Sequence, residues 1–175
     1  STVPASATTL VNNGTAVVAL TSGNLDDGGW GNIPIGFTFN YFGTNYTTLN
    51  VGTNAVLQFG VYNATALGDF TIGALPNTVD PLGAIFAAAH DLNCGTTGTI
   101  PTSVKYWTEG YAPNRRFIVQ YDVYRYGSTT QRQKIQAVIF ETLGTIEIHA
   151  IELASTNAKT IGVNDPTGTI GAAAP

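Results

Sequence analysis

Apolar and polar side chains alternate along most of this chain with a period of two residues, and no stretch carries a sustained 3.6-residue apolar stripe. Such alternation places successive side chains on opposite faces of an extended backbone, so we predict strands and almost no helix. The clearest strand covers residues 116–124, where one face carries Phe117, Val119, Tyr121 and Val123. We expect that face to lie in the core.

A hairpin is predicted in the last third of the chain. Residues 134–141 and 145–153 both alternate, and Leu143 and Gly144 supply the turn between them. The run 83–90 differs, because small apolar residues occupy both of its faces. A strand with this composition is typical of the middle of a sheet that is covered on both sides.

The remaining strands are shorter, and clusters of Gly, Asn, Asp and Pro separate them. About ten short strands joined by such turns predict an all-β protein, a jelly-roll-like antiparallel β-sandwich. We expect residues 1–175 to form a single domain. The other predicted strands are 15–21, 35–42, 46–51, 55–60, 69–72, 103–108 and 160–164.

Charge is scarce and unevenly placed. Only 10% of the 175 residues are charged, against about 25% in ordinary soluble domains. Residues 1–104 hold five Asp and no Lys or Arg, whereas residues 105–175 hold seven basic and six acidic groups. A weakly charged surface with unlike halves favours association between copies. The net charge of −4 argues against a nucleic-acid partner, which requires a dense basic face.

The two ends of the chain lack large side chains. We predict that residues 1–10 and 166–175 are extended tails that pack on neighbouring copies, for example as a strand added to a sheet edge. No apolar run approaches the roughly 20 residues that cross a bilayer, so membrane insertion is not expected.

Cys94 is the sole cysteine, which excludes a disulfide within the chain. We expect its thiol to be buried. Three Asn-X-Thr sequons mark glycosylation acceptors that would have to lie on the surface, at Asn13, Asn45 and Asn63.

Several segments together resemble a module common in secreted surface proteins of Bacteroidetes. The chain reads Ile-Gly-Phe-Thr-Phe-Asn-Tyr-Phe-Gly at 35–43, follows an Asp-rich turn at Asp26-Asp27, and later reads Val-Lys-Tyr-Trp-Thr-Glu-Gly at 104–110. Where the module has Asn-Gly before a strand, this chain has Asn54-Ala55. The resemblance covers about residues 25–165, and its motifs are patterns of turns and strands.

This resemblance implies a jelly-roll-like β-sandwich that is distantly similar to the nidogen-type extracellular domain. It also implies an extracellular, cell-surface location and an adhesive or architectural role, since most members of that family have such roles.

Catalytic chemistry has little support in the sequence. A nucleophilic triad needs a base that is itself oriented by a third group, and the two available bases are His90 and His149. A pair of catalytic carboxylates could come from Glu141 and Glu147, with Asp122 nearby. Exposed strand carboxylates and a satisfied strand histidine are the commoner explanations, so we expect no enzyme and no required cofactor.

Two binding sites remain as candidates. Clustered Asp and Asn oxygens are the ligands that calcium prefers, and they predict a structural calcium site at Asp26, Asp27, Asp91 and Asn93. Exposed aromatic rings stack on sugars or on a protein partner, and the candidates for such a contact are Trp30, Trp107 and Tyr111.

The sequence therefore favours a non-enzymatic extracellular structural protein, a self-associating subunit of a cell-surface filament or layer. Its expected partners are other copies of itself. The alternative is an adhesive or carbohydrate-binding surface module, with surface glycans as partners.

Overall fold

The computed structural model describes residues 2–154 and 158–174. The described residues contain fourteen strands and one helix of four residues. The strands are β1 Thr8–Asn12, β2 Thr15–Ala16, β3 Ser22–Gly23, β4 Gly28–Tyr41, β5 Thr44–Gly52, β6 Val56–Gln58, β7 Ala84–Ala89, β8 Leu92–Asn93, β9 Ser103–Glu109, β10 Arg116–Arg125, β11 Arg132–Phe140, β12 Ile146–Glu152, β13 Thr160–Asn164 and β14 Gly171–Ala173, and the helix is α1 Ala64–Leu67.

The strands form two antiparallel sheets of seven strands each. Sheet A has the order β12-β11-β10-β9-β1-β2, with β8 also paired to β10, and sheet B has the order β14-β13-β7-β6-β5-β4-β3. Most neighbours in a sheet are consecutive in the chain, and the described chain passes from one sheet to the other after β2, after β7 and after β12. The prediction of an all-β antiparallel sandwich is confirmed.

The core lies between the two sheets. Sheet A contributes the predicted face of β10, and sheet B contributes large side chains such as Phe39, Leu57 and Ile85. Buried hydrogen bonds also join the two layers; in one of them the hydroxyl of Tyr121 in β10 donates to the carbonyl of Gly52 in β5 over 2.7 Å. The hairpin of β11 and β12 also forms as predicted, with its turn between Phe140 and Ile146.

A second apolar layer covers the outer face of sheet B. The chain between β6 and β7, residues 59–83, packs Tyr62, Ile72 and Leu75 against side chains of the sheet that include Phe86. We call residues 59–83 the covering segment. It explains why every residue of β7 is buried, as the composition of 83–90 predicted.

Several predicted strands differ in the structure. Residues 69–72 are not a strand, and of 15–21 only Thr15–Ala16 pairs. Strand β1 was not predicted. The number of strands exceeds the expected ten because five of the fourteen are only two or three residues long, namely β2, β3, β6, β8 and β14.

The two segments predicted to be extended tails are partly strands of the chain's own sheets. Thr8–Leu10 belongs to β1, which lies between β9 and β2, and Gly171–Ala173 forms β14 beside β13. A turn anchored by Asp165 returns the chain for this last pairing, because the carboxylate accepts hydrogen bonds from the amides of Thr169 and Ile170. Packing of the ends on neighbouring copies stays a prediction.

Candidate functional site: an apolar groove at the open side of the sandwich

The sandwich is open along one side. Strand β12 is the last strand of sheet A and β14 is the last strand of sheet B, and within residues 2–154 and 158–174 neither has a strand on its outer edge. A groove of about 380 Å³ lies between these two edges. We call it the edge groove.

Branched apolar side chains line the edge groove. Strand β12 contributes Ile146 and Ile148, and β13 contributes Ile161 and Val163. All four are half-buried and pack against the core. Alternation explains their position, because residues two apart on a strand point to the same side of the sheet. Gly162, Ala172, Ala173 and Ala174 complete the lining.

The groove continues towards the turn between β4 and β5. A second hollow of about 230 Å³ shares Ile146 and Val163 with the edge groove and extends to Phe42. Phe42 and Gly43 form the turn with positive φ angles of 45° and 84°, the conformation that a two-residue hairpin turn requires. The turn leaves the Phe42 ring 41% exposed, edge-on to the Tyr41 ring at 4.8 Å between centroids.

Charged groups lie on the other face of the same edge strand. Glu147 and His149 of β12 form a pair with 2.7 Å between Oε2 and Nε2, and Arg132 lies 3.3 Å from Glu152. Charges on an edge strand discourage unrestricted pairing with other strands. The edge therefore presents an apolar side towards the groove and a charged side towards solvent.

The basic residues are largely neutralised by acids of the same half of the chain. Arg115 lies 2.5 Å from Glu141, Arg116 lies 2.5 Å from Glu109, and Asp122 accepts from Arg132 at 2.5 Å. The hydrogen bonds from Arg115 hold the pKa of Glu141 below its usual range. Lys134 also lies 3.6 Å from Asp122. Four of the seven basic residues are thus paired with acids of the same half of the chain.

The residues of the predicted calcium site do come together. The amide of Asn93 donates to Asp26 over 3.1 Å, and burial, followed by the charges of Asp27 and Asp91, raises the pKa of Asp26. Burial and the charge of Asp27 likewise raise the pKa of Asp91. Among the described residues, however, no group of three or more His, Cys, Asp or Glu side chains is arranged to hold a metal ion. Calcium binding stays a prediction.

The three aromatic candidates have different surroundings. Trp30 is 1% exposed and Trp107 is 3% exposed, and their indole N–H groups donate to the Val18 carbonyl and to Glu109. Both rings are packed inside the protein, which removes them from any exposed platform for a sugar. Tyr111, in the turn between β9 and β10, is 91% exposed.

The candidate catalytic groups are held in structural contacts. The side-chain amide of Gln133 donates to the Ala88 carbonyl, so its oxygen accepts from Nε2 of His90 over 2.7 Å. Burial lowers the pKa of His90. Burial also raises the pKa of the Cys94 thiol, which donates to the Thr53 carbonyl.

All three sequon asparagines, Asn13, Asn45 and Asn63, are exposed, as glycosylation requires. Asn63 is also the N-cap of α1, where its side-chain oxygen accepts from the Ala66 amide. In the part of the chain that the structure describes, no helix is long and apolar enough to span a membrane.

Sequence reasoning did not find the edge groove. The alternation in 145–153 and 160–164 identified its strands, but not that their apolar sides meet across the gap between two sheets.

A family model described as NIDO related matches the chain over residues 2–174. No curated protein and no solved structure matches the chain.

Proposed function

This chain belongs to the NIDO-related family, and from that membership together with its geometry we propose that it is an extracellular, non-enzymatic structural protein whose copies associate with one another. The association forms a filament or layer at the cell surface, in keeping with the resemblance to modules of secreted Bacteroidetes proteins. The observation that carries the proposal is the edge groove.

The edge groove leaves apolar side chains in contact with water. Ile146, Ile148, Ile161 and Val163 are all only half-buried, and exposed Phe42 extends the same strip. Covering such a strip contributes about 25 cal/mol for each Å² of apolar surface removed from water, which has to exceed the entropic cost of association. The low charge of the chain, 10% of residues, leaves little repulsion to oppose the approach of a second copy.

The shape of the groove favours an open assembly. A concave surface is filled by a convex one, so the groove of one copy must receive a different surface of the next copy. A contact between unlike surfaces leaves one surface of each kind free at the two ends of the assembly. Further copies then add to these ends and form a filament, unless the rotation between neighbouring copies closes the assembly into a ring.

The absence of catalysis is part of this proposal. His90 is buried and held by Gln133, and burial keeps the Cys94 thiol protonated by raising its pKa. A general base or nucleophile has to reach its substrate, which neither position favours.

The proposal is tested by the mass of the purified chain in sedimentation velocity over a range of concentrations. Ala173 is exposed and lines the edge groove, so Ala173→Arg places a charge in the groove without disturbing the core. We expect the native chain to form concentration-dependent assemblies and Ala173→Arg to weaken them at least tenfold. Ala19→Arg, at an exposed alanine that does not line the groove, is the matched control. A native chain that stays monomeric at millimolar concentration would refute the proposal.

The second candidate is an adhesive or carbohydrate-binding module, which the exposed ring of Tyr111 favours. A glycan array on which the chain binds nothing would count against it.

A further inference from the structure

Two turns at one end of sheet A form a protrusion, which we call the tip. The turn between β9 and β10, residues 110–114, carries Tyr111, and the turn between β11 and β12, residues 142–144, carries Leu143. Tyr111 is 91% exposed and Leu143 is 73% exposed. Neither residue lines the edge groove or the second hollow beside it. The tip therefore offers solvent two large side chains that the groove of the same molecule does not receive.

Hydrogen bonds hold the two turns of the tip in place. The Asn114 amide donates to the Tyr111 carbonyl over 2.8 Å and closes the first turn. The Thr142 hydroxyl donates to the Pro113 carbonyl and so joins the second turn to the first. An anchor that is already ordered loses little conformational entropy when it binds, and this favours its use in an interface.

The charged rim of the tip presents arginine side chains to solvent. Arg115 and Arg116 directly follow the first turn, and each is paired with a carboxylate that is less exposed than itself. The side chain of Arg116 is 42% exposed, against 26% for that of Glu109. The side chain of Arg115 is 31% exposed, against 16% for that of Glu141. The guanidinium groups are thus more accessible to a partner than the acids that neutralise them.

The rim of the edge groove has the opposite arrangement. On β12 the side chain of Glu152 is 49% exposed, against 16% for that of its partner Arg132. Glu147 is likewise more exposed than its partner His149. Among the described residues that line the groove itself, none is charged. An apolar groove with a carboxylate rim complements an apolar tip with an arginine rim, and rim charges of opposite sign orient two partners.

We propose that the tip of one copy enters the edge groove of the next copy, with Tyr111 and Leu143 as the anchors. This inference rests on the proposed function and names the second surface that the association requires. At about 30 Å³ for each water molecule, the groove of about 380 Å³ has room for roughly twelve waters. The side chains of a tyrosine and a leucine together have about as many non-hydrogen atoms. The Tyr111 hydroxyl donates to a backbone carbonyl on the open edge of β12 or β14.

Another exposed apolar surface of the chain fits the groove less well. Val61 and Val79 of the covering segment are almost fully exposed. The charged residues of that segment are Asp69 and Asp80, and its sequence contains no Lys or Arg. It would therefore bring acidic groups towards the carboxylate rim of the groove, and like charges across an interface suppress the contact.

Sedimentation velocity of the full chain and of two blocked variants tests the inference. Leu143→Asp places a charge on the tip, and Ala173→Asp places a charge of the same sign in the groove. Each variant alone should assemble about tenfold more weakly than the native chain. An equimolar mixture of the two should form dimers and nothing larger. The intact tip of Ala173→Asp fills the intact groove of Leu143→Asp, and the two surfaces left over are both blocked and repel each other.

Val79→Asp is the matched control, because it adds the same charge at an exposed apolar residue of the covering segment. It should assemble as the native chain does. Tyr111→Asp, in the other turn of the tip, keeps the test decisive if Leu143→Asp fails to fold.

Three results would overturn this inference alone, each with a native chain that assembles: both tip variants assemble as well as the native chain, the mixture forms no dimer, or Val79→Asp is the variant that blocks assembly. A native chain that stays monomeric would overturn the proposed function and this inference together.

Discussion

Two neighbouring alanines of β7 offer a direct measurement of backbone strain. Ala87 and Ala88 are both fully buried in the core between the sheets. Ala88 has a φ of +54°, whereas Ala87 does not have a positive φ. The pairing with β13 shows the reason: Thr160 lies opposite Ala89 and Ile161 opposite Ala87, so Ala88 is the extra residue of a bulge.

The same substitution at the two sites should therefore have different costs. Removal of a buried methyl costs about 0.8 kcal/mol, and the added freedom of glycine in the unfolded chain costs about 0.4 to 1 kcal/mol. Ala87→Gly should lower the free energy of unfolding by the sum, about 1.2 to 1.8 kcal/mol. At Ala88 glycine also relieves the left-handed conformation, which costs alanine about 1 to 2 kcal/mol. Ala88→Gly should then change stability by less than about 1 kcal/mol in either direction.

Equilibrium unfolding in urea, followed by the fluorescence of Trp30 and Trp107, measures both variants. The two midpoints are comparable if the slopes agree, because the slope reports the surface exposed on unfolding. Ala87→Gly serves as the control for the methyl and for the unfolded chain. Equal losses at the two positions, or a larger loss at Ala88, would refute the argument from strain.

Two further predictions concern titration and thiol reactivity. Burial would raise the pKa of Asp165, but hydrogen bonds from Ile170, Thr167 and Thr169 outweigh this effect and hold the pKa at about 2. The ionised carboxylate therefore stabilises the fold at any pH above its unfolded pKa of about 4. This stabilisation is lost as the pH falls towards 2. In urea unfolding, Asp165→Asn should be less stable than the native chain at pH 6 and the gap should narrow by pH 2; a gap independent of pH would contradict this. Cys94 is buried with a raised pKa, so Ellman's reagent at pH 8 should label it only after denaturation, and rapid labelling of the native chain would show that the thiol is accessible.

The sequence predicts the fold best where alternation is uninterrupted. Strands β10, β11 and β12 and the doubly buried β7 follow directly from it. Strand β1 was missed because Leu10 and Val11 are adjacent and both fully buried. A register shift between Thr9 and Val11 in the pairing with β9 makes this possible, and such a bulge hides the period of two.

The false strand at 69–72 shows the opposite error. Phe70 and Ile72 alternate with polar residues, but the amide and the hydroxyl of Thr71 both donate to the Asp69 side chain. Side-chain bonds of this local kind compete with a strand ladder. Alternation of apolar and polar residues alone therefore cannot distinguish a strand from a turn that side-chain hydrogen bonds hold.

The structure explains the residues of the Asn54-Ala55 turn in physical terms. The resemblance noted in the sequence implies a glycine at position 55, where Ala55 adopts a φ of +62°. Glycine enters that conformation without strain. The Asn54 beside it is fully buried, donates to Asp27 and the Gly68 carbonyl, and accepts from the Leu92 amide, which explains why an asparagine stands there.

The edge groove could not be located from the sequence. The edge groove needs Ile148 and Ile161 from different sheets, and which sheet edges lie side by side depends on the order of all the strands. The sequence did indicate the neighbourhood of Asp26 and Asp91, because acids and turn residues cluster there.

The burial of β7 on both faces determines which strands separate first in local opening of the fold. Its amides are also flanked by β6 and β13, so water reaches them only when both sheets open. Strands β12 and β14 have one partner each and separate at a smaller cost. The edge strands, β12 and β14 among them, should therefore separate before the centre of the fold does, so a partner bound at the edge groove could displace β12 or β14 while β7 stays paired.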